Sequence, residues 1–187
     1  LATVTATRDA FRTAIGGGTT AGANGLFGGV RREINWDGVP DALSAPNNLP
    51  ANFFNVNSPR GAVFSTAGTG FQVSANSGVA PVEFGNINAT YPTLFAPFSP
   101  QRLFTALGSN VMDMNFFVPG TTTPATTNAF GVVFSDVDLA AGTSIQFFDD
   151  AGNSIFSRSV LTASGNETFS FLGVQFSAGE RVGRVRI

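Results

Sequence analysis

The sequence predicts an all-β protein, with short antiparallel strands following one N-terminal helix. Turn signals built from Gly, Pro and Asn recur at roughly 8–14-residue spacing after position 30, which is typical of a sandwich or barrel. The chain is rich in turn formers and aromatic residues, with 22 Gly and 20 Phe among 187 residues, and only 12% of its residues are charged. Helix and strand patterns do not alternate, so a parallel α/β sheet is not expected.

The first 29 residues precede the strand pattern. Residues 1–15 are predicted to form a short helix, with Thr7 as a candidate cap and with Phe11, Ala14 and Ile15 on one face. Residues 16–29 hold seven Gly in 14 positions, which predicts a surface loop. This loop does not match a dinucleotide fingerprint, because no strand precedes it and no helix follows it. We therefore expect residues 1–29 to pack on a β-sandwich domain formed by residues 30–187.

Period-two alternation begins at position 30. VRREINW (30–36) places Val30, Ile34 and Trp36 on one predicted strand face. Residues 37–59 form a long connection, and loops of that length are usually functional or pinned to another element. Residues 60–75 are predicted to form two strands joined as a hairpin at 67–70.

The rest of the chain reads as mixed strand and Pro-rich loop over 79–98, followed by a series of short strands. The predicted strands are RLFTALG (102–108), DMNFFVPG (113–120), FGVVFSDVD (130–138), SIQFFD (144–149), SIFSRSVL (154–161), ETFSFLGVQF (167–176) and ERVGRVRI (180–187). The last strand runs to the final residue, which suggests a trimmed chain.

Composition excludes several classes of site. Cys and His are absent, so the chain has no disulfide framework, no thiolate zinc site and no Ser–His–Asp triad. All ten basic residues are Arg, which removes P-loop and Schiff-base lysines, and no basic stripe indicates nucleic-acid binding. No apolar run approaches the roughly 18 residues that a membrane span needs. Low charge without Lys or Cys favours an exported bacterial protein, secreted or at the cell surface.

Acidic residues gather in one segment. Four of the 12 lie in 130–153, and alternation places Asp136 and Asp138 where an apolar strand face must leave the core at a sandwich rim. Asp149 and Asp150 open a predicted hairpin turn in which Gly152 takes a positive φ. A calcium ion is the hard cation that a chain without His or Cys still binds well. We expect Asp136 and Asp138 as its ligands, with partners of matching type at Asp37 and Asp41.

Several segments together resemble a group of secreted bacterial jelly-roll modules. They are INWDGVP (34–40), NFFNVNSPRGAVFSTAGTGF (52–71), FGVVFSDVD, IQFFDDAGN (145–153), FLGVQF (171–176) and RVRI (184–187). They are similar to the lectin-like ectodomains of exported, surface-sorted proteins and, more distantly, to galactose-binding-like domains, in which the jelly roll often carries a structural calcium. The resemblance implies an all-β jelly-roll antiparallel β-sandwich. It carries fold and not function.

Three function classes stay open. The first is a non-catalytic carbohydrate-binding module, for which Trp36 and Tyr91 offer stacking surfaces and Asn52, Asn55 and Asn57 offer planar amides. The second is a structural or adhesive extracellular domain that binds a matrix component or protein, and an exposed apolar patch would favour it. The third and weakest is a paired-carboxylate glycosidase using two of Glu33, Glu83, Glu167 and Glu180. The arginines at 181, 184 and 186 are predicted to form a solvated or ion-paired face.

Overall fold

A computed structural model describes residues 1–16 and 31–187, and it confirms an all-β fold with a short N-terminal helix. The helices are α1 (Ala2–Ala14) and α2 (Phe53–Val56). The strands are β1 (Ala62–Thr66), β2 (Gly70–Val73), β3 (Phe104–Leu107), β4 (Met112–Phe116), β5 (Ala129–Ser135), β6 (Ser144–Asp149), β7 (Ser154–Ser159), β8 (Phe169–Gln175) and β9 (Val182–Arg186). Within the described ranges, no helix has the length and apolar character needed to cross a membrane.

The largest element is a five-stranded antiparallel sheet with the order β1-β4-β9-β6-β7. Its last strand, β9, lies at the centre between β4 and β6. Alternation in β6 and β9, together with a register shift between Val182 and Arg184, sends one set of side chains into a core, where Ile145, Phe147, Val182 and Val185 are fully buried. The opposite face of the same strands carries the polar side chains described below.

A two-stranded sheet of β5 and β8 covers this core. Phe130 and Phe134 of β5 and Leu172 and Val174 of β8 pack against the buried cluster, which confirms that the β5 phenylalanines point inward. The result is a β-sandwich in which apolar side chains from two sheets meet. The jelly-roll connectivity stays a prediction.

The predicted hairpin at 60–75 is wrong in its pairing, although both strands exist. β1 pairs with β4 in the large sheet, whereas β2 pairs with β3 in a separate two-stranded sheet. Residues 62–73 run antiparallel to residues 104–116, and both segments bend where they pass from the five-stranded sheet to the two-stranded sheet of β2 and β3. At the bend an ideal Cβ on Gly68 would lie 2.0 Å from the carbonyl oxygen of Leu107, so only glycine fits. A glycine-rich turn signal thus marks a bend that changes sheets.

The helix α1 lies on the outer face of β5 and β8. The ring of Phe11 sits over the cross-strand pair Gly131 and Gly173, with its centroid 5.6 Å from that of Phe171. Arg12 donates two hydrogen bonds to the Glu33 carboxylate, at 2.6 and 2.9 Å. The helix therefore docks through the Phe11 ring, through the bidentate Arg12–Glu33 ion pair and through Arg8, whose guanidinium carbon lies 5.1 Å from the centroid of the Phe98 ring.

Two parts of the N-terminal prediction have different outcomes. Thr7 does not cap α1, because the helix begins at Ala2 and the Thr7 hydroxyl donates to the Thr3 carbonyl within it. The predicted Gly-rich loop beyond Gly16, together with Val30, lies outside the described residues.

The predicted strand at 30–36 is also wrong over its described part. Residues 32–35 have no regular secondary structure, and Trp36 begins a 3-10 helix, Trp36–Gly38, whose N-terminus is capped by the Asn35 side chain accepting from the Asp37 N–H. A second aromatic core replaces strand pairing here, since Trp36 packs among Phe54, Phe64 and Phe104. Residues 79–98 contain two 3-10 helices, Val82–Phe84 and Tyr91–Thr93, and no strand.

The long connection 37–59 is pinned to the sheets, as its length predicted. Its backbone bonds to the outer edges of β2 and β1, where Ala45 N–H donates to Val73, Leu49 N–H to Phe71, and the Ala51 carbonyl accepts from Phe64. These bonds cover the exposed edge of both strands, which otherwise presents unpaired peptide groups.

Candidate functional site on the outer sheet face

The outer face of the five-stranded sheet gathers planar polar groups. Because Met112 and Met114 of β4 and Val185 of β9 point inward, their neighbours Asp113, Asn115, Arg184 and Arg186 point outward. Register places Asp113 between Ser65 of β1 and Arg186 of β9, and Arg186 beside Gln146 of β6. One row of side chains across β1, β4, β9 and β6 therefore presents a hydroxyl, a carboxylate, a guanidinium and an amide, in that order.

Asp113 is the centre of this face. Arg186 donates from Nε to Oδ1 at 2.8 Å and from Nη2 to Oδ2 at 3.0 Å, and Arg184 donates from Nη1 to Oδ1 at 3.1 Å. The side chains of Asp113, Arg184 and Arg186 are 17%, 24% and 44% exposed. The hydrogen bond from Arg186 and the positive charges of both arginines hold the pKa of Asp113 below its ordinary value, and Asp113 raises the pKa of Arg186. The ion-paired interpretation of these arginines is therefore confirmed.

The ring of Phe148 packs against the guanidinium groups of both arginines. The Arg184 guanidinium carbon lies 3.6 Å from the centroid of the Phe148 ring, and that of Arg186 lies 5.7 Å away. Phe148 is consequently buried although it is on the outer face. Stacking fixes the plane of the Arg184 guanidinium and reduces the conformational freedom that a ligand would otherwise have to freeze.

Two surface clefts meet at the β1 end of this face. The first has a volume of about 260 Å³ and is lined by Ser65, Thr66, Ala67, Val111, Met112, Asp113 and Arg186. The second, about 440 Å³, lies between the bend at 64–71 and the pinned connection, with Asn48 and Thr69 on its walls. Ser65 and Thr66 line both clefts, so the two clefts adjoin along β1, and the first reaches the Asp113–Arg186 pair.

The aromatic residues predicted to bind carbohydrate lie elsewhere. The Trp36 ring stacks on Phe104 with centroids 4.1 Å apart and planes at 7°, so one of its faces is covered by the core. Tyr91 is half-buried in a 3-10 helix and makes an edge contact with Phe95. No contact between Trp36 and Tyr91 is recorded in the described residues.

The three predicted asparagines lie in or next to the short helix α2 and differ in their exposure to solvent. Asn55 is buried, and its side chain donates to the Thr121 carbonyl and accepts from the Gly120 N–H, so it braces the loop after β4. Asn52 and Asn57 are exposed at the two ends of α2. Asn55 is thereby committed to a structural role, whereas Asn52 and Asn57 face solvent.

The predicted calcium ligands fall into two separate pairs. Asp37 accepts from the Ser99 hydroxyl and from the Arg102 N–H, and Asp41 forms an ion pair with the Arg102 guanidinium. Arg102 is itself 3% exposed and also donates to the Ser74 carbonyl. A buried guanidinium therefore already pairs with Asp41, whereas Asp37 is engaged by the Ser99 hydroxyl and by the backbone N–H of Arg102.

The other pair, Asp136 and Asp138, follows the last residue of β5. Asp136 has a positive φ of 61°, and its Oδ1 is buried without a hydrogen-bond partner among the described residues. Burial and the negative charge of Asp138 raise the pKa of Asp136. Asp138 accepts from the Gly165 N–H. Over residues 1–16 and 31–187, no group of three or more acidic side chains gathers in a metal-like cluster.

Asp149, Glu33 and Glu83 also have partners among the described residues. Asp149 accepts from the N–H groups of Ala151 and Asn153 and from the Asn153 amide, and Gly152 has a φ of 88°, which confirms the predicted β6–β7 turn. Among the glutamates, Glu33 pairs with Arg12, and buried Glu83 lies 3.3 Å from the Ser77 hydroxyl.

Comparisons of the chain with protein-family models, with curated proteins and with solved structures returned no match. The functional argument therefore depends on the site itself. Sequence reasoning missed Asp113, although a signal existed: Asp113 and Asn115 alternate with Met112 and Met114 just as Arg184 and Arg186 alternate around Val185.

Proposed function

We propose that the protein is a non-catalytic extracellular binding module for carbohydrate, and that the glycan lies across the outer sheet face and into the clefts at Ser65. The observation that carries this proposal is the Asp113 carboxylate held by two arginines at the edge of a polar cleft. Export is part of the same proposal and is supported by a chain without Cys or Lys.

The chemistry of the face suits sugar hydroxyls. Each hydroxyl both donates and accepts, and it is bound best by fixed groups of both kinds. Asn115, Gln146 and Ser65 supply amide and hydroxyl groups, and strand backbones hold them at regular spacing. Because these side chains are already positioned by neighbours, little further ordering is needed on binding.

The same geometry supports binding without catalysis. A glycosidase needs one carboxyl group that is protonated near neutral pH to act as the general acid. The arginines lower the pKa of Asp113, which keeps it ionised and makes it a poor proton donor. Among the residues that the structure describes, no second acidic side chain lines the first cleft.

A glycan array followed by titration calorimetry tests the proposal. Ser65→Trp fills the junction of the two clefts and is expected to weaken binding by roughly tenfold or more, since a displaced sugar loses several hydrogen bonds. Ser177→Trp, at an exposed position just after β8 in the other sheet, is the size-matched control and is expected to bind as the wild type does. If no glycan on the array binds, or if Ser65→Trp binds a glycan as tightly as the wild type does, the proposal is wrong.

A structural calcium at the rim belongs to the same proposal. Asp136 and Asp138 would supply carboxylate oxygens, and a cation there would offset both the unpartnered Asp136 oxygen and the repulsion between the two charges. Calcium would then stabilise the folded state by mass action. Thermal melts in millimolar calcium and in chelator test this, with Asp136→Asn as control because Asn tolerates the same positive φ. An unchanged melting temperature in the wild type would remove the ion site.

A structural or adhesive role is the second candidate, and one observation favours it. Leu139 and Leu161 are 75% and 74% exposed on two adjacent loops, which are joined by hydrogen bonds from Ala163 to Val137 and from Val160 to Thr143. Replacing both leucines with Ser is expected to abolish adhesion to a matrix-coated surface if this role holds, and to leave glycan binding unchanged.

A further inference from the structure

The arginines on the outer sheet face keep hydrogen-bond donors that Asp113 does not use. A guanidinium carries five N–H groups. Asp113 receives one from Nε and one from Nη2 of Arg186, and one from Nη1 of Arg184. No other hydrogen bond to these two guanidiniums is recorded in the described part of the chain, so Arg186 Nη1 and the outer edge of Arg184 remain available to a ligand.

The cleft beside Arg186 also offers a hydroxyl donor to a ligand. The Thr66 hydroxyl donates to the Val111 carbonyl and accepts from the Gly68 N–H, so it is already committed. The Ser65 oxygen accepts from the Asn115 amide at 3.4 Å, which leaves its O–H free to donate outward. Both oxygens of Asp113 already accept from the arginines.

The charges on this face also favour an anionic ligand, because they sum to a positive value. The cluster holds two arginines against one aspartate, a local excess of positive charge on a protein whose formal net charge is −2. Arg184 and Arg186 are two residues apart on one strand, so their charges add at the same surface. A neutral sugar does not require this excess, whereas an anionic group does.

We propose that the glycan recognised here is acidic, and that its carboxylate or sulfate group binds in the first cleft against Arg186 and Ser65. This inference rests on the proposed function and narrows its ligand class. An anion accepts hydrogen bonds only, and planar guanidinium forks recognise carboxylate and sulfate oxygens well. With both oxygens engaged by the arginines, Asp113 presents little free negative charge to the ligand, and the Phe148 ring holds the Arg184 guanidinium in place.

Size-matched oligosaccharides test the inference: a neutral glucan, a uronan and a sulfated glucan. Titration calorimetry is expected to show binding of one or both charged ligands and a neutral ligand that is weaker by roughly tenfold or more. Raising the NaCl concentration from about 50 to about 500 mM is expected to weaken the binding of the charged ligand several-fold, because exposed charges are screened. The uronan and sulfated arms identify which anion is preferred.

Two substitutions separate this inference from a neutral-sugar site. Arg186→Gln keeps side-chain N–H donors but removes the charge, and it is expected to lose the preference for the charged ligand. Asp113→Asn removes the competing negative charge, and it is expected to bind the acidic ligand as well as or better than the wild type at low salt. A neutral site that uses Asp113 as a hydroxyl acceptor predicts weaker binding by Asp113→Asn.

The outcomes are distinguishable. If no ligand of any class binds, the proposed carbohydrate function fails. If the neutral glucan binds as tightly as the charged ligands, or if Asp113→Asn weakens binding several-fold while its melting temperature stays near that of the wild type, carbohydrate binding stands and the acidic-ligand inference fails.

Discussion

Replacing Gly173 with Ala tests how the N-terminal helix is attached to the sandwich. An ideal Cβ at this position would lie 2.7 and 2.9 Å from the Phe11 ring and 2.9 Å from the Phe171 ring, closer than real Cβ contacts. Overpacking of this kind destabilises a protein by about 1–3 kcal/mol. Because about 1 kcal/mol shifts the melting temperature of a chain this size by roughly 2–4 °C, we expect a decrease of several degrees.

The sign of the effect is what makes this substitution informative. Gly173 does not have a positive φ, so Ala in the strand is otherwise expected to be about 0.5–1 kcal/mol more stable than Gly. Gly38→Ala is the matched control, since nothing lies within 4 Å of the point that its Cβ would occupy and its φ is not positive either. We expect this control to melt at or slightly above the wild-type temperature.

A double-mutant cycle attributes the loss to the helix. In a Phe11→Ala background the larger part of the clash disappears, and we expect Gly173→Ala to be much less harmful there than in the wild type. The assay is thermal or urea unfolding followed by circular dichroism. If Gly173→Ala is as stable as the wild type, or equally harmful with and without Phe11, then α1 is not docked on the glycine pair.

Three further predictions concern charge and the aromatic core. The arginine partners lower the pKa of Asp113, so the stability that this group contributes is present above its unfolded pKa near 4 and is lost as pH falls through its folded pKa. In Asp113→Asn, the melting temperature should therefore fall less steeply as the pH is lowered. In urea unfolding, Arg102→Met should lower the unfolding free energy by about 2 kcal/mol, because it leaves the buried Ser74 carbonyl unpaired. Asp41→Asn should change the unfolding free energy by less than about 1 kcal/mol, because the Asp41 side chain is 87% exposed. Trp36→Phe should lower the melting temperature but leave the affinity for a glycan unchanged, because the Trp36 ring packs on Phe104; a large loss of affinity at unchanged stability would place the ligand at Trp36 instead.

Local pattern was sufficient to predict the strands after position 100, but not which strands pair. Period-two alternation identifies a strand because one face must be apolar, and this worked for β5, β6 and β9. It failed at Trp36, where aromatic stacking and an Asn35 cap replaced an extended strand. The AGTG sequence at 67–70 predicts a hairpin turn, but glycine permits both a turn and a close backbone approach, and only the contact with Leu107 shows which one applies.

The candidate site was harder to predict than the fold. Asp113 is a single acidic residue in an apolar strand, and its two arginine partners are more than 70 positions away in sequence. Alternation places these residues on an outer face, but their proximity depends on β9 inserting between β4 and β6, which no local pattern encodes. Conversely, Asn55 had the right chemical type for a ligand contact, yet the fold uses its amide to hold residues 120 and 121.

The most direct test of the account is to locate the ligand on the folded chain. Backbone amide shifts in a ¹H–¹⁵N spectrum, recorded while an acidic oligosaccharide is added, report which residues change environment. The account predicts that the largest changes cluster at Ser65, Asn115 and Arg186 on adjoining strands of the large sheet. Changes centred on Trp36 and Tyr91, or no changes at saturating ligand, would contradict it.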